Sequence, residues 1–292
     1  FSSISHTIGF KIPYIIAYSK ADRVAKRGAA GENALYVSAV TGEGIFELKE
    51  RLGAFAKRLQ NPKSLVRDLL AAGDVVVLVT PIDEAAPKGR LILPQQMVLR
   101  DVLDANAIAV VCQDTELQRT LDSLKNKPRM VITDSQAFES VARCTPADVP
   151  LTSFSILMAR YKGDLRELVK GFAALRTLRD GDRVLISEGC THHRQCNDIG
   201  TVKMPGWIER FTGVKPAYSF TSGGEFPKEL KDCRVIVHCG GCMLNEAEMK
   251  HRIRQAMDSN VPIVNYGIAI AGMHGILRRS LELFPDILRL LD

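Results

Sequence analysis

Short, near-continuous apolar runs rich in β-branched residues recur along this chain, and each is followed by a stretch with helical periodicity. No other sequence feature limits the fold as strongly. Residues 74–80, 107–112, 129–133 and 150–155 are such runs in one block, and 183–187, 216–221, 233–238 and 261–266 form a second set. A strand with no polar alternation is covered on both faces, as in a parallel sheet between two layers of helices. The intervening helices are predicted over 94–104, 114–124 and 135–143, then over 164–178, 204–212, 245–258 and 273–283. The fold class is therefore α/β, with two consecutive small doubly wound parallel-sheet domains at 65–160 and 163–292. Residues 62–67, opening at Pro62, read as a linker.

Two strands of the second block end in ligand-type side chains. The run 183–187 leads to Cys190-Thr191-His192, and the run 234–237 leads to His238-Cys239-Gly240-Gly241-Cys242. Neighbouring parallel strands would deliver both groups at their C-terminal ends, where open α/β sheets bind ligands. Thiolates suit soft metals, and the two glycines let two sulfurs reach one centre with backbone N–H groups free to bond sulfur. Cys190, Cys239 and Cys242 are one short of the four ligands usual for an iron–sulfur cluster. The remaining iron position would fall to a histidine, another oxygen or nitrogen donor, or an exchangeable ligand. A closed Cys3His zinc site, stabilising a dimeric interaction module, is the alternative. Asn265, Tyr266 and the glycine-rich stretch to Gly275 would wall the same rim, with His274 packing or capping there.

Composition narrows the partners. The chain has 292 residues, seven cysteines and a formal charge of +6. Its basic residues are scattered and aromatics make up only 6%, which argues against nucleic acid. The odd cysteine count gives no secreted disulfide framework, so a reducing cytoplasm is expected. Cys112 and Cys144 read as buried small hydrophobes. No apolar run is long enough to span a bilayer, so no membrane association is expected. In the middle block Thr80-Pro81-Ile82-Asp83 and Thr133-Asp134 end strands as caps and turn formers. The first strand there carries little edge protection, and an edge-to-edge homodimer would hide it.

Before these blocks, strands at 12–18 and 34–37 lead into Ser19-Lys20-Ala21-Asp22 and Ser38-Ala39-Val40-Thr41-Gly42-Glu43-Gly44, with a helix to residue 59. The loops resemble the guanine-reading N-K-x-D and S-A-x-x-G-x-G loops of a GTPase, with Ser19 replacing asparagine. Asp22 could accept from guanine N1–H and its exocyclic amine, Lys20 could cover the ring, and the Ala39 amide could donate to O6. No G-x-x-x-x-G-K-[ST] phosphate loop occurs in the sequence. Residues 1–60 are thus expected to be the C-terminal part of a G domain, a P-loop NTPase-like remnant whose N-terminal half would lie upstream. Whether the chain is an enzyme stays open, and GTP hydrolysis by the phosphate-loop mechanism is not expected of it.

Taken together, the guanine loops, the doubly wound middle block and the C-x-H…H-C-x-x-C pattern resemble the HydF-type maturation GTPases of di-iron hydrogenases. Cys190-Thr191-His192-His193-Arg194-Gln195 with Asp198-Ile199-Gly200, and His238-Cys239-Gly240-Gly241-Cys242-Met243, are the nearest local matches. The resemblance implies a scaffold bearing a 4Fe-4S cluster on Cys190, Cys239 and Cys242, with His192 and His238 beside it. It implies a di-iron precursor as cargo, received from radical maturation enzymes and passed to apo-hydrogenase. It also implies a homodimer through the middle domain, a possible higher oligomer, and GTP with Mg in the complete protein. His193 and Cys196 fall outside the family's ligand set. Arg194 and Lys203 are basic residues able to attract an anionic precursor.

Overall fold

The computed structural model describes residues 14–59, 63–82, 91–189 and 198–292. It divides into two units, Phe1–Lys63 and Ser64–Asp292. In the first, β1 (Ile16–Tyr18) pairs in parallel with β2 (Ala34–Tyr36), and α1 (Ile45–Leu59) follows. The part of the expected strand before residue 14 lies outside the described residues.

The second unit holds two four-stranded parallel sheets. The first is built from β3 (Val75–Val79), β4 (Ile108–Cys112), β5 (Met130–Thr133) and β6 (Leu151–Ser153), in the order β4-β3-β5-β6. Its helices are α2 (Leu93–Asp104), α3 (Leu117–Ser123), α4 (Phe138–Cys144) and α5 (Phe154–Lys162). After α6 (Leu165–Leu175), the second sheet contains β7 (Arg183–Ser187), β8 (Ala217–Thr221), β9 (Val235–His238) and β10 (Ile263–Asn265), in the order β10-β9-β7-β8. With it come α7 (Met204–Thr212), α8 (Glu246–Asp258), α9 (Tyr266–Met273), α10 (Leu277–Ser280) and α11 (Pro285–Leu288). Counted along the chain, both sheets run 2-1-3-4. One continuous apolar core joins them, running from Val77 and Ile132 through Leu157 and Phe172 to Ile186 and Ile270.

Four expectations change on contact with the structure. The apolar run 150–155 is a strand only to Ser153, whose hydroxyl accepts from the Ile156 amide and starts α5. That helix buries Phe154, Ile156, Leu157, Met158 and Ala159, so no polar face marks its period. Helix α9 begins at Tyr266 rather than near residue 273, because Asn265 caps it through the Ile268 amide at 2.8 Å. Residues 63–67 are not a free linker. Leu65 and Val66 are buried, Asp101 accepts from the Val66 and Arg67 amides at 2.8 Å each, and Arg160 grips the Leu65 carbonyl and Asp68. The Arg160 guanidinium holds the Asp68 carboxyl below the usual carboxylate range. Finally, β3 is interior; the exposed edge is β4, where Ile108 and Val111 face solvent at 53% and 43% exposure.

Candidate metal centre

In an open parallel sheet the ligand crevice forms where the strand order reverses, outside the carboxyl ends of the two strands flanking that point. In the second sheet those strands are β7 and β9, paired in parallel with Ser187 opposite His238. The predicted neighbourhood of the two cysteine-bearing strands is therefore real. The ladder continues one step further, with the Cys239 amide donating to the Ser187 carbonyl at 2.9 Å.

Just past the strands, the Cys239 sulfur accepts from the Gly189 amide at 3.0 Å and from the Gly241 amide at 3.4 Å. Gly189 directly precedes Cys190 in the sequence, so the loop after β7 and the Cys239-x-x-Cys242 loop are tied through the sulfur itself. Backbone N–H groups aimed at a sulfur stabilise its thiolate, the form in which cysteine binds a metal. The glycines have separate reasons. Gly241 sits at φ +60°, and a Cβ there would meet Met249 Sδ at 2.5 Å, whereas Gly240 has open space around it. A Cβ on Gly189 would strike Leu244 at 2.6 Å. Cys242 is half-buried on the same loop. Cys190 and His192, with His193, Arg194 and Cys196, lie outside the described residues.

His238 is fully buried and both ring nitrogens are engaged. Nδ1 lies 2.7 Å from the Cys239 carbonyl and Nε2 lies 3.1 Å from the Arg252 guanidinium. A carbonyl only accepts and a guanidinium only donates, so the proton sits on Nδ1 and Nε2 takes the Arg252 N–H. Desolvation is the main reason its pKa is pushed down to about 4, with the Cys239 carbonyl opposing and Arg252 adding to the shift. His238 is thus a neutral brace for the Cys239 backbone, and it would have to release Arg252 to offer a lone pair to a metal. Arg252, also fully buried, completes its set with Glu248 at 2.8 Å, the Gly223 carbonyl at 2.8 Å and the Phe226 ring at 5.1 Å.

Three residues of this rim have no counterpart in the sequence reading. Glu188 is buried at 4% exposure and bonded by the Tyr266 hydroxyl at 3.3 Å. Burial first, then the charges of Glu188 and Cys239, raise the Tyr266 phenol far above its ordinary range. Gly200 lets this pair approach, since a Cβ there would meet the Tyr266 hydroxyl at 2.4 Å and Glu188 at 2.5 Å. A charged residue directly after a buried strand was the available signal for Glu188. Arg252 and Lys162, whose ammonium donates to the Cys242 and Leu244 carbonyls at 2.8 Å each, gave none, because both sit on helices where charge is ordinary. Asp198 accepts from the Thr201 amide and hydroxyl at 2.9 Å each and so fixes the turn that carries Gly200. Lys203 donates to Gln136 at 3.0 Å. His274 caps the end of α9 and lies edge-on to Trp207.

In the first unit the two guanine-type loops meet. The Ser38 hydroxyl donates to Asp22 and accepts from the Val40 and Thr41 amides at 3.2 Å each, while the Ala21 amide donates to Val37. Lys20 takes a left-handed conformation at φ 60°. Gly44 is required, since a Cβ there would lie 2.0 Å from the Tyr36 carbonyl oxygen. Ser19 and Ala39 lie at the exposed mouth of these loops.

The fold and crevice define a doubly wound α/β protein with sulfur donors at a switch point. Residues 65–163 match the hydrogen maturase F dimerization domain, and residues 166–283 match the hydrogen maturase F tetramerization domain. The chain belongs to the hydrogen maturase F family, which places it in hydrogenase maturation and gives it domains for oligomer formation. No curated protein matches it significantly. Among solved structures, an NtrC family transcriptional regulator from Clostridium acetobutylicum aligns at 11% identity over 75% of this chain and 99% of its own. Its TM-score of 0.23 carries no structural argument. Among the described residues no helix is long and apolar enough to cross a membrane, and no group of three or more His, Cys, Asp or Glu side chains stands close enough to hold a metal ion.

Proposed function

We propose that this chain is a scaffold that holds a 4Fe-4S cluster on Cys190, Cys239 and Cys242 and passes a di-iron precursor from radical maturation enzymes to apo-hydrogenase. The observation that carries the reading is the Cys239 sulfur accepting two backbone amides, one from each loop of the crevice. The donor set fits: soft sulfur ligands on a rim whose backbone already offers N–H groups to them. When bound, such a cluster supplies one iron with an exchangeable position, at which a second metal unit can be held and released. The chain does the rest. His238 and Arg252 fix the Cys239 backbone, Gly189 and Gly241 direct N–H groups at the sulfur, and Glu188 offers a buried oxygen donor as an alternative to His192 for the remaining position.

Ser19, Lys20, Asp22, Ser38 and Ala39 would read the guanine of GTP, with Mg and phosphate contacts supplied by the rest of a G domain. Homodimerisation through the middle block would cover Ile108 and Val111 on the β4 edge.

Anaerobic reconstitution tests the scaffold reading. About four irons and four sulfides per chain with visible absorption are expected. One zinc per chain, with no absorption under any iron loading, would instead establish a closed Cys3His structural site.

A further inference from the structure

We propose that Lys162 is the positioning residue of the ligand loop: it holds the Cys242 side of the Cys239-x-x-Cys242 turn from the dimerization block and sets a positive charge beside it. The inference rests on the reading that this loop carries a cluster. Lys162 is the last residue of α5, inside the stretch that matches the dimerization domain. The loop it reaches belongs to the stretch that matches the tetramerization domain.

Its ammonium donates to the carbonyls of Cys242 and Leu244 at 2.8 Å each and of Gly241 at 3.4 Å. An ammonium has three N–H groups, and here all three serve one loop. The carbonyls belong to Cys242 and to residues on either side of it, so the contact fixes the backbone on both flanks of the ligand.

The electrostatics point the same way. Among the described residues the partners of the Lys162 ammonium are backbone carbonyls. A half-buried cation with only carbonyl partners is poorly compensated. An anionic, thiolate-ligated cluster would complete the balance. A nearby positive charge favours the reduced, more negative form of such a cluster and so raises its potential.

The test uses the full chain with K162M and K162R, first without metal. In K162M the Gly241 and Leu244 amides, which close this turn, should exchange with solvent about tenfold faster or more, as expected for losing hydrogen bonds from a charged donor. Exchange in α8 and β9 should stay as in the parent, and K162R should restore the slow rate. Unchanged loop exchange, or a rise spread evenly over Ser64–Asp292, overturns the positioning role. The second reading is the midpoint potential after anaerobic reconstitution, expected lower in K162M and near the parent value in K162R. Equal potentials in all three overturn the charge role. If K162M does not fold, K162Q removes the charge while keeping an amide donor and gives both readings. A parent chain that takes up no iron would sink the cluster reading, while the exchange measurement would still decide the positioning one.

Discussion

The two sheets of the second unit share a strand order, yet among the described residues only the second sheet's block carries buried Asp, Glu, His or Arg side chains. At the ends of β7 and β9 stand Ser187-Glu188-Gly189 and His238-Cys239, while β3 and β5 end in Thr80-Pro81 and Thr133-Asp134. Proline has no N–H to offer a ligand. The Thr80 and Thr133 hydroxyls turn to the Cys112 and Asp134 carbonyls at 3.5 and 3.4 Å. Among the described residues the buried ionisable side chains Glu188, Asp198, His238 and Arg252 all belong to the second sheet's block. A reversal in strand order opens a crevice in each sheet; among the described residues it is buried ionisable side chains, not buried polar ones in general, that set the second apart. The middle sheet shows its apolar residues at an edge instead, on β4.

The contrast can be broken most directly at the sulfur. Cys239→Ala should abolish nearly all iron and sulfide uptake and the visible absorption after anaerobic reconstitution, whereas Thr133→Val at the matching strand end should leave them unchanged. Iron retained by Cys239→Ala would erase the difference between the sheets.

Next is the buried guanidinium. Arg252→Met leaves His238 Nε2 and the Gly223 carbonyl without their donor, and urea unfolding should show a loss of about 3 kcal/mol or more. Acid should then expose the same region. With His238 near 4 when folded and about 6.5 when unfolded, the unfolded chain binds the extra proton first as pH falls. The metal-free protein should keep this contribution above pH 6.5 and lose about 3 kcal/mol on descent towards pH 4. His238→Gln should flatten that part of the unfolding-versus-pH curve. The smallest contrast lies within one turn. Gly241→Ala should cost about 2 kcal/mol for its left-handed backbone and the Met249 contact, while Gly240→Ala should stay within about 0.5 kcal/mol, both measured by urea unfolding.

The sequence disclosed the apolar strands better than the elements buried on every side. β7 was legible to the residue because a β-branched run stops sharply at Ser187, and the end of β9 at His238-Cys239 was legible for the same reason. Helix α5 was hidden because burial on every side removes the polar face that periodicity needs. The position of β3 inside its sheet was equally hidden, since order is set by crossovers rather than by any local pattern. Arg252 was invisible for a related reason: one turn of α8 carries both His251 and Arg252, and only packing decides which of them goes inside.

Between the last turn of α5 and the first of α6 there is only Gly163-Asp164, and the two sheets on either side share their apolar interior. So short a joint has a mechanical consequence. Neither half could be exchanged for a foreign module without baring the flank its neighbour covers.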